Sequence, residues 1–240
     1  MDKVLSQNEV DALLTAIAEG SVEGESAAVE NEKQEAIREF DLTSSDRIVR
    51  GRMPLLEIIH EKFCRDFRSV LSMELRKVVD VEVGDFKLVK FGEFVNSMPL
   101  PSCINLFKMD PLRGSVLTIV ESKLVYTLVD IFCGGTGKSK FKLEGRDFTS
   151  IELSIVRKIV LKALKEWQEA WRPVYPVDVS FIRTEINPQF VSIAHPTEVV
   201  VLLDSIIDVE GSPGKLSILI PYSTLEPLRE KLSSSYLGEE

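Results

Sequence analysis

Two histidines, three cysteines and one glycine-rich loop are the residues of this 240-residue chain that invite a chemical reading. His60 precedes Glu61, but no second histidine follows to complete the paired-histidine helix that holds a catalytic zinc. His60 falls on an amphipathic helical pattern, where a surface or packing-edge position is expected. His195 is the only other histidine. Cys64, Cys103 and Cys133 are odd in number, widely spaced and without a CxxC pair, which fits reduced thiols in a cytoplasmic core rather than a disulfide or zinc framework. Gly134-Gly135-Thr136-Gly137-Lys138-Ser139 contains the Gly-Lys-Ser of a phosphate loop. The phosphate-loop spacing needs a glycine five residues before Gly137, however, and Phe132 stands there. The segment also follows a helical pattern, whereas a phosphate loop leaves a strand. No GxSxG elbow occurs. The residues imply no metal, no cofactor and no enzyme.

The glycine loop has a second reading. Three glycines in four positions allow positive φ and the close approach of another backbone. Gly134 alone would supply a helix C-cap, whereas two further glycines and Lys138, Lys140 and Lys142 go beyond a cap. A protein-contact loop and a structural cap both stay open. A bulky residue at Gly135 is expected to weaken a contact without lowering thermal stability.

The elements that must position this loop form two similar halves. Leu42-Thr43-Ser44-Ser45-Asp46 opens a helical pattern through Leu55, Ile58, Ile59, Phe63 and Phe67, and Phe148-Thr149-Ser150-Ile151-Glu152 opens another through Ile155, Ile159, Leu164, Trp167 and Trp171. In each, the threonine can cap with an acid at the third helical position. Strands are expected at 78–83, 86–95, 101–107 and 116–120, then at 177–183, 190–194, 198–203 and 216–220. Short helices at 124–132 and 224–232 close the halves. Gly114-Ser115-Val116 aligns with Gly214-Lys215-Leu216, and Ile119-Val120 with Leu219-Ile220, at an offset of 100; the helix openings align at 106. A duplicated α/β unit follows, with short Pro/Gly turns that favour an antiparallel sheet covered by helices.

Ahead of this domain, Val10, Leu13, Leu14 and Ile17 fall on one face of a helix. Ser6 and Glu9 form a capping box, Leu5 can staple against Val10, and Glu9 and Asp11 suit the helix dipole. Residues 19–39 are rich in Glu, Ser, Ala and Gly, a composition that predicts a disordered tether. The helix either docks on its own globule or serves as bait that folds on a partner, since about 12 residues are only marginally helical alone.

Charge sharpens the division. The chain carries −9, of which residues 1–39 hold −7. The remaining globule offers no basic face for a phosphate backbone, which argues against nucleic acid. No apolar run approaches the roughly 20 residues of a membrane span, and the N-terminus lacks a secretion-signal profile.

Three segments carry a family resemblance. Leu5-Ser6-Gln7-Asn8-Glu9-Val10-Asp11-Ala12-Leu13-Leu14 resembles the N-terminal peptide of the flagellar motor switch family FliM, whose core reads Glu-Ile-Asp-Ala-Leu-Leu. Ile131-Phe132-Cys133-Gly134-Gly135-Thr136-Gly137 with Leu143–Thr149 resembles its middle domain, as does Ile220–Arg229. The resemblance implies a CheC-like, pseudo-twofold α/β/α fold. It divides the chain into a peptide at 1–18, a linker at 19–40, a middle domain at 41–234 and a tail at 235–240. It implies binding of phosphorylated CheY by Leu5, Ser6, Glu9, Val10, Asp11, Leu13, Leu14 and Ile17, and of FliG by Gly134, Gly135, Thr136 and Gly137. Neighbouring FliM copies would pack alongside in a ring at the cytoplasmic face of the flagellar basal body, peripheral to the inner membrane. The family's C-terminal FliN-related domain does not follow before Glu240, so a truncated chain with impaired FliN assembly is expected. The alternative is a CheC- or FliY-type phosphatase acting on phosphorylated CheY. Its helix signature, Asp/Ser-x-x-x-Glu-x-x-Asn, would fall at Ser154, Lys158 and Leu161, and in the first half at Ile48, Arg52 and Leu55. A lysine and a leucine there cannot position a hydrolytic water.

Overall fold

The computed structural model describes residues 53–137 and 146–233. The expected N-terminal helix, the tether, the opening at Leu42–Asp46, Lys138–Lys142 and the tail lie outside these residues. Helix α1 spans Pro54–Leu75, strand β1 Val79–Lys90, α2 Phe91–Ser97, β2 Cys103–Asp110, β3 Val116–Val120 and α3 Ser122–Phe132. The second half follows with α4 Ser150–Trp171, β4 Asp178–Glu185, β5 Val199–Val209, β6 Ser212–Pro221, α5 Tyr222–Leu225 and α6 Arg229–Ser233.

Six strands form one antiparallel sheet in the order β1-β5-β6-β3-β2-β4. Exchanging β1 with β4, β2 with β5 and β3 with β6 reverses that order, so the sheet is pseudo-twofold. Its axis passes between β3 and β6. Each half lends its first strand to the other: β1 pairs only with β5, and β4 only with β2. The same exchange holds among helices, for α3 packs on α4 and α1 on α6.

The long helices and the inner strands enclose the main core. Lys62 Nζ reaches Glu169 O at 3.5 Å and Lys162 pairs with Glu74 at 2.7 Å, so α1 and α4 run antiparallel. Between them Phe63 stacks on Phe67, and the Trp167 ring meets Phe63 edge-on with centroids 5.5 Å apart. Each such buried ring contributes roughly 1.5–3 kcal/mol relative to exposure. A smaller cluster covers the opposite sheet face, where Phe91 and Val191 pack on Ile104, Leu106, Leu117, Val200 and Leu219. Both faces of β3 are therefore buried, which explains its unbroken apolar run.

Four expectations change. Val78–Val83 and Phe86–Val95 are not two strands but one, bulged between Val83 and Phe86, and it ends at Lys90. Phe91, Phe94, Val95 and Met98 fall at helical spacing and pack together on the second face as α2. Residues 190–194 form no strand, because Asn187-Pro188 opens a 3₁₀ turn with Asn187 Oδ1 accepting from Gln189 N at 2.9 Å. The final helix is broken into α5, a 3₁₀ turn and α6 around Pro227, which has no N–H to donate. Finally, α1 starts at Pro54 after a non-helical Met53, as a residue before proline disfavours the helical region. Pro54 thus corresponds to Ser150 and Leu75 to Trp171, a separation of 96 rather than 106.

Candidate functional site

The glycine loop caps α3 and then departs from a cap. Gly134 N donates to Ile131 O at 3.0 Å and Gly135 N to Asp130 O at 2.8 Å, the bond pair of a Schellman turn. Gly134 adopts φ 91°, which favours glycine. Beyond this turn the Asp130 carboxylate accepts the Gly137 N–H at 2.7 Å. Ser212 Oγ, at the start of β6, donates to Gly137 O at 2.9 Å. A Cβ on Gly135 would stand 2.4 Å from that carboxylate, so the glycine leaves the space Asp130 occupies. Gly137, at φ 72°, folds back over Ile131 and Thr127. A side chain at Gly135 would meet the loop's own clamp, so a bulky residue there is expected to lower stability together with any contact.

Among the four predicted loop residues, Gly134 and Thr136 are exposed, Gly135 is half-buried and Gly137 is buried. Phe132 and Cys133 extend the exposed surface. Asp130 and Ser212 were not foreseen. Asp130 could have been, because an acid in the last helical turn opposes the helix dipole and needs a separate reason. Ser212 lies 75 residues away and carries no local signal. The predicted peptide residues Leu5, Ser6, Glu9, Val10, Asp11, Leu13, Leu14 and Ile17 lie outside the described residues.

The capping box foreseen at α4 is present. Glu152 N donates to Thr149 Oγ1 at 3.3 Å and Thr149 N to Glu152 Oε2 at 2.7 Å. Arg146 grips the same carboxylate with both terminal nitrogens, at 2.7 and 3.1 Å. The guanidinium hydrogen bonds, with the Thr149 donors, hold the Glu152 carboxyl down at about 2. Arg146 also lies over the Tyr126 ring at 5.3 Å, which ties the start of α4 to α3.

Ser154, Lys158 and Leu161 lie on the exposed face of α4. With the observed separation of 96, their first-half counterparts become Ile58, Lys62 and Arg65 rather than Ile48, Arg52 and Leu55. Leu55 is buried in the core. No asparagine occurs in α1 or α4, and the one amide, Gln168, follows Lys165 by three residues and accepts from Val179 N at 2.9 Å. The acid-and-amide pair is absent from both helices in any register.

His60 is buried rather than at an edge, with Nε2 2.8 Å from Ser205 Oγ. Burial lowers its pKa to about 4, against the opposing charge of Asp204. A cavity of about 310 Å³ on the second face is lined by Gly84, Glu121, Asp204 and Lys215. Its polar groups satisfy one another: Lys215 pairs with Asp204 at 2.6 Å, and Ser217 donates to Asp204 at 2.6 Å. Among the described residues no group of three or more metal-ligating side chains converges. No described helix is long and apolar enough to cross a membrane.

The interlocked α/β duplication recurs among known proteins. Residues 49–237 match the family described as flagellar motor switch protein FliM. The Pseudomonas aeruginosa flagellar motor switch protein FliM is 44% identical over 236 residues, covering 98% of this chain and 72% of the relative. The crystal structure of the FliM middle domain from Vibrio alginolyticus superposes with a TM-score of 0.67 at 35% identity, over 74% of this chain and 99% of that one. FliM in a FliG–FliM complex from Helicobacter pylori gives 0.69 at 25% identity, over 75% and 96%. Thermotoga maritima FliY, at 17% identity and 0.63 over 81% and 98%, shares the fold alone. The match over residues 49–237 and the shared fold define a flagellar motor switch protein. The chain belongs to the FliM family.

Proposed function

We propose that this chain works as a two-ended adaptor in the rotor ring, at the cytoplasmic face of the basal body. Residues 1–18 capture phosphorylated CheY, 19–40 act as tether, 41–234 form the middle domain that holds FliG, and 235–240 are a tail. The observation that supports the FliG contact is the exposed pair Gly134 and Thr136, with Gly137 behind them hydrogen-bonded to Asp130 and Ser212. The Helicobacter pylori relative, crystallised with FliG, supports the same partner here. Neighbouring copies and FliN, the latter through a C-terminal domain, complete the assembly. Capture of CheY biases the FliG contact and so the direction of rotation.

The capture is reversible on energetic grounds. Burying Leu5, Val10, Leu13, Leu14 and Ile17 contributes roughly 1.5–3 kcal/mol each. Ordering the segment costs about 2–5 kcal/mol, and association costs more. The tether then keeps the regulator at high local concentration beside the ring. A chain that only binds needs no acid-and-amide pair on α1 or α4, which favours this reading over a CheY phosphatase.

Titrating the purified chain with phosphorylated CheY and with FliG tests both ends. Leu13→Ala or Leu14→Ala is expected to remove most CheY binding and leave FliG binding and the melting temperature unchanged. Undiminished CheY binding in either variant would sink the peptide reading. Accelerated loss of phosphate from CheY would favour the phosphatase instead.

A further inference from the structure

The glycine loop belongs to the first half of the chain, yet its last carbonyl is held by the second. Ser212 opens β6 immediately after the turn at Glu210-Gly211, and its hydroxyl reaches Gly137 O. From the other side Asp130 takes the Gly137 N–H. One peptide group on each side of Gly137 is thus fixed, from two different elements. Between these anchors Gly134 and Thr136 face outward. A Schellman turn needs neither anchor, since its own bonds end at Gly135.

We infer that Asp130 and Ser212 are positioning residues for the FliG contact, setting the outward face of the Gly134–Gly137 loop from α3 and from the β5–β6 turn. The inference rests on the loop being the FliG-binding element. It gives each glycine a separate task. Gly134 makes the left-handed cap, Gly135 clears the path of the Asp130 carboxylate, and Gly137 presents both its N–H and its carbonyl to the two anchors. The β5–β6 turn is itself closed by Gly211 N donating to Asp208 Oδ1 at 2.7 Å and is tied to the start of β1 by the Lys77–Glu210 pair at 3.4 Å. A displacement of that turn would therefore reach the loop through a single hydroxyl. A loop ordered before binding loses less freedom on association, so loosening one anchor weakens affinity without touching a contact atom.

The test uses the whole 240-residue chain against FliG in a binding titration, beside thermal melts. Removing one hydrogen bond worth about 1 kcal/mol corresponds to roughly fivefold in affinity. Ser212→Ala is expected to weaken FliG binding by about that factor while the melting temperature falls by no more than about 2–4 °C, and Ser212→Thr, which keeps the hydroxyl, to restore both. Asp130→Ala is expected to weaken binding at least as much and to speed hydrogen exchange of the Gly137 amide, whereas Asp130→Asn keeps an acceptor and falls between. Thr136→Arg on the exposed tip serves as the reference and is expected to abolish binding. If Thr136→Arg abolishes binding while Ser212→Ala and Asp130→Ala leave it intact, the positioning role is wrong and the FliG reading stands. If Thr136→Arg itself has no effect, the FliG reading fails and takes this inference with it. A melting temperature that falls in step with affinity, unrescued by Ser212→Thr, would make the anchors merely structural.

Discussion

Thr118 pairs directly with Ile218 across the centre of the sheet, each facing the residue that holds its own place in the other half of the chain. The offset of 100 visible in the sequence is thus the pseudo-twofold axis itself. Because β1 and β4 each pair only across the halves, neither half has a complete sheet of its own.

Dividing the chain between Lys140 and Phe141 should therefore yield two fragments without independent folds. Neither fragment alone is expected to show a cooperative thermal transition by circular dichroism, while an equimolar mixture should show one. A cooperative melt from either fragment in isolation would contradict the interlocked sheet.

The duplication was legible at Gly114 and Gly214, 100 residues apart, although Gly114 precedes β3 at φ 105° and Gly214 lies inside β6 opposite Ile207. It misled at the helix openings. Thr43 and Thr149 carry equivalent local capping patterns, but capping chemistry recurs wherever a helix can start and does not mark equivalent places in a fold. The run Phe91–Val95 read as strand since aromatic and β-branched residues favour both a strand and a buried helical turn. His60 was misplaced because its partner, Ser205, comes from a strand 145 residues away. In the loop the glycines were legible and their anchors were not, for the same reason of distance.

His60 makes stability fall in mild acid. Its folded pKa of about 4 lies below the ordinary 6.5, so between those values the unfolded chain takes a proton that the folded chain refuses. The native state is fully favoured above pH 6.5, and the loss grows toward about 3 kcal/mol at pH 4. Urea titrations at pH 7 and pH 4.5 should show His60→Gln less stable at pH 7 but losing less on acidification. Equal pH slopes in both proteins would show that His60 is not the group responsible.

Glu152 acts over a lower and separate range. Arg146 and the Thr149 donors hold its carboxyl at about 2, below the ordinary 4.5, so its contribution is complete above 4.5 and disappears as pH falls toward 2. Replacing one member of a helix-start cap costs about 1 kcal/mol, which for a domain of this size lowers the melting temperature by about 2–4 °C. Glu152→Gln and Arg146→Gln should each show that loss at pH 7, and the double variant should lose less than their sum because the two side chains share one interaction. Strict additivity would separate the pair.

Gly114, just before β3, and Gly214, within β6, stand 100 residues apart in the repeat but face different obstacles, and a double-mutant cycle should tell them apart. A Cβ on Gly214 would lie 2.7 Å from Leu124 Cβ and 3.1–3.2 Å from Leu124 backbone atoms. That backbone begins α3 and cannot yield cheaply, so Gly214→Ala is expected to cost about 1–3 kcal/mol as an overpacked site. A Cβ on Gly114 would meet only the Thr224 hydroxyl, at 2.7 Å, with the rest of that side chain 4.0 Å away. Gly114 also sits at φ 105°, which disfavours any other residue. Gly114→Ala should therefore be destabilising through both collision and backbone strain, and Thr224→Ala should relieve the first but not the second. Urea denaturation of Gly114→Ala, Thr224→Ala and the pair is expected to give a favourable coupling that recovers part of the loss. For Gly214→Ala, the companion Leu124→Ala leaves the obstructing Cβ in place and should recover nothing. Recovery there would mean that α3 shifts to accept the added methyl, and that the two halves meet more loosely than their symmetry implies.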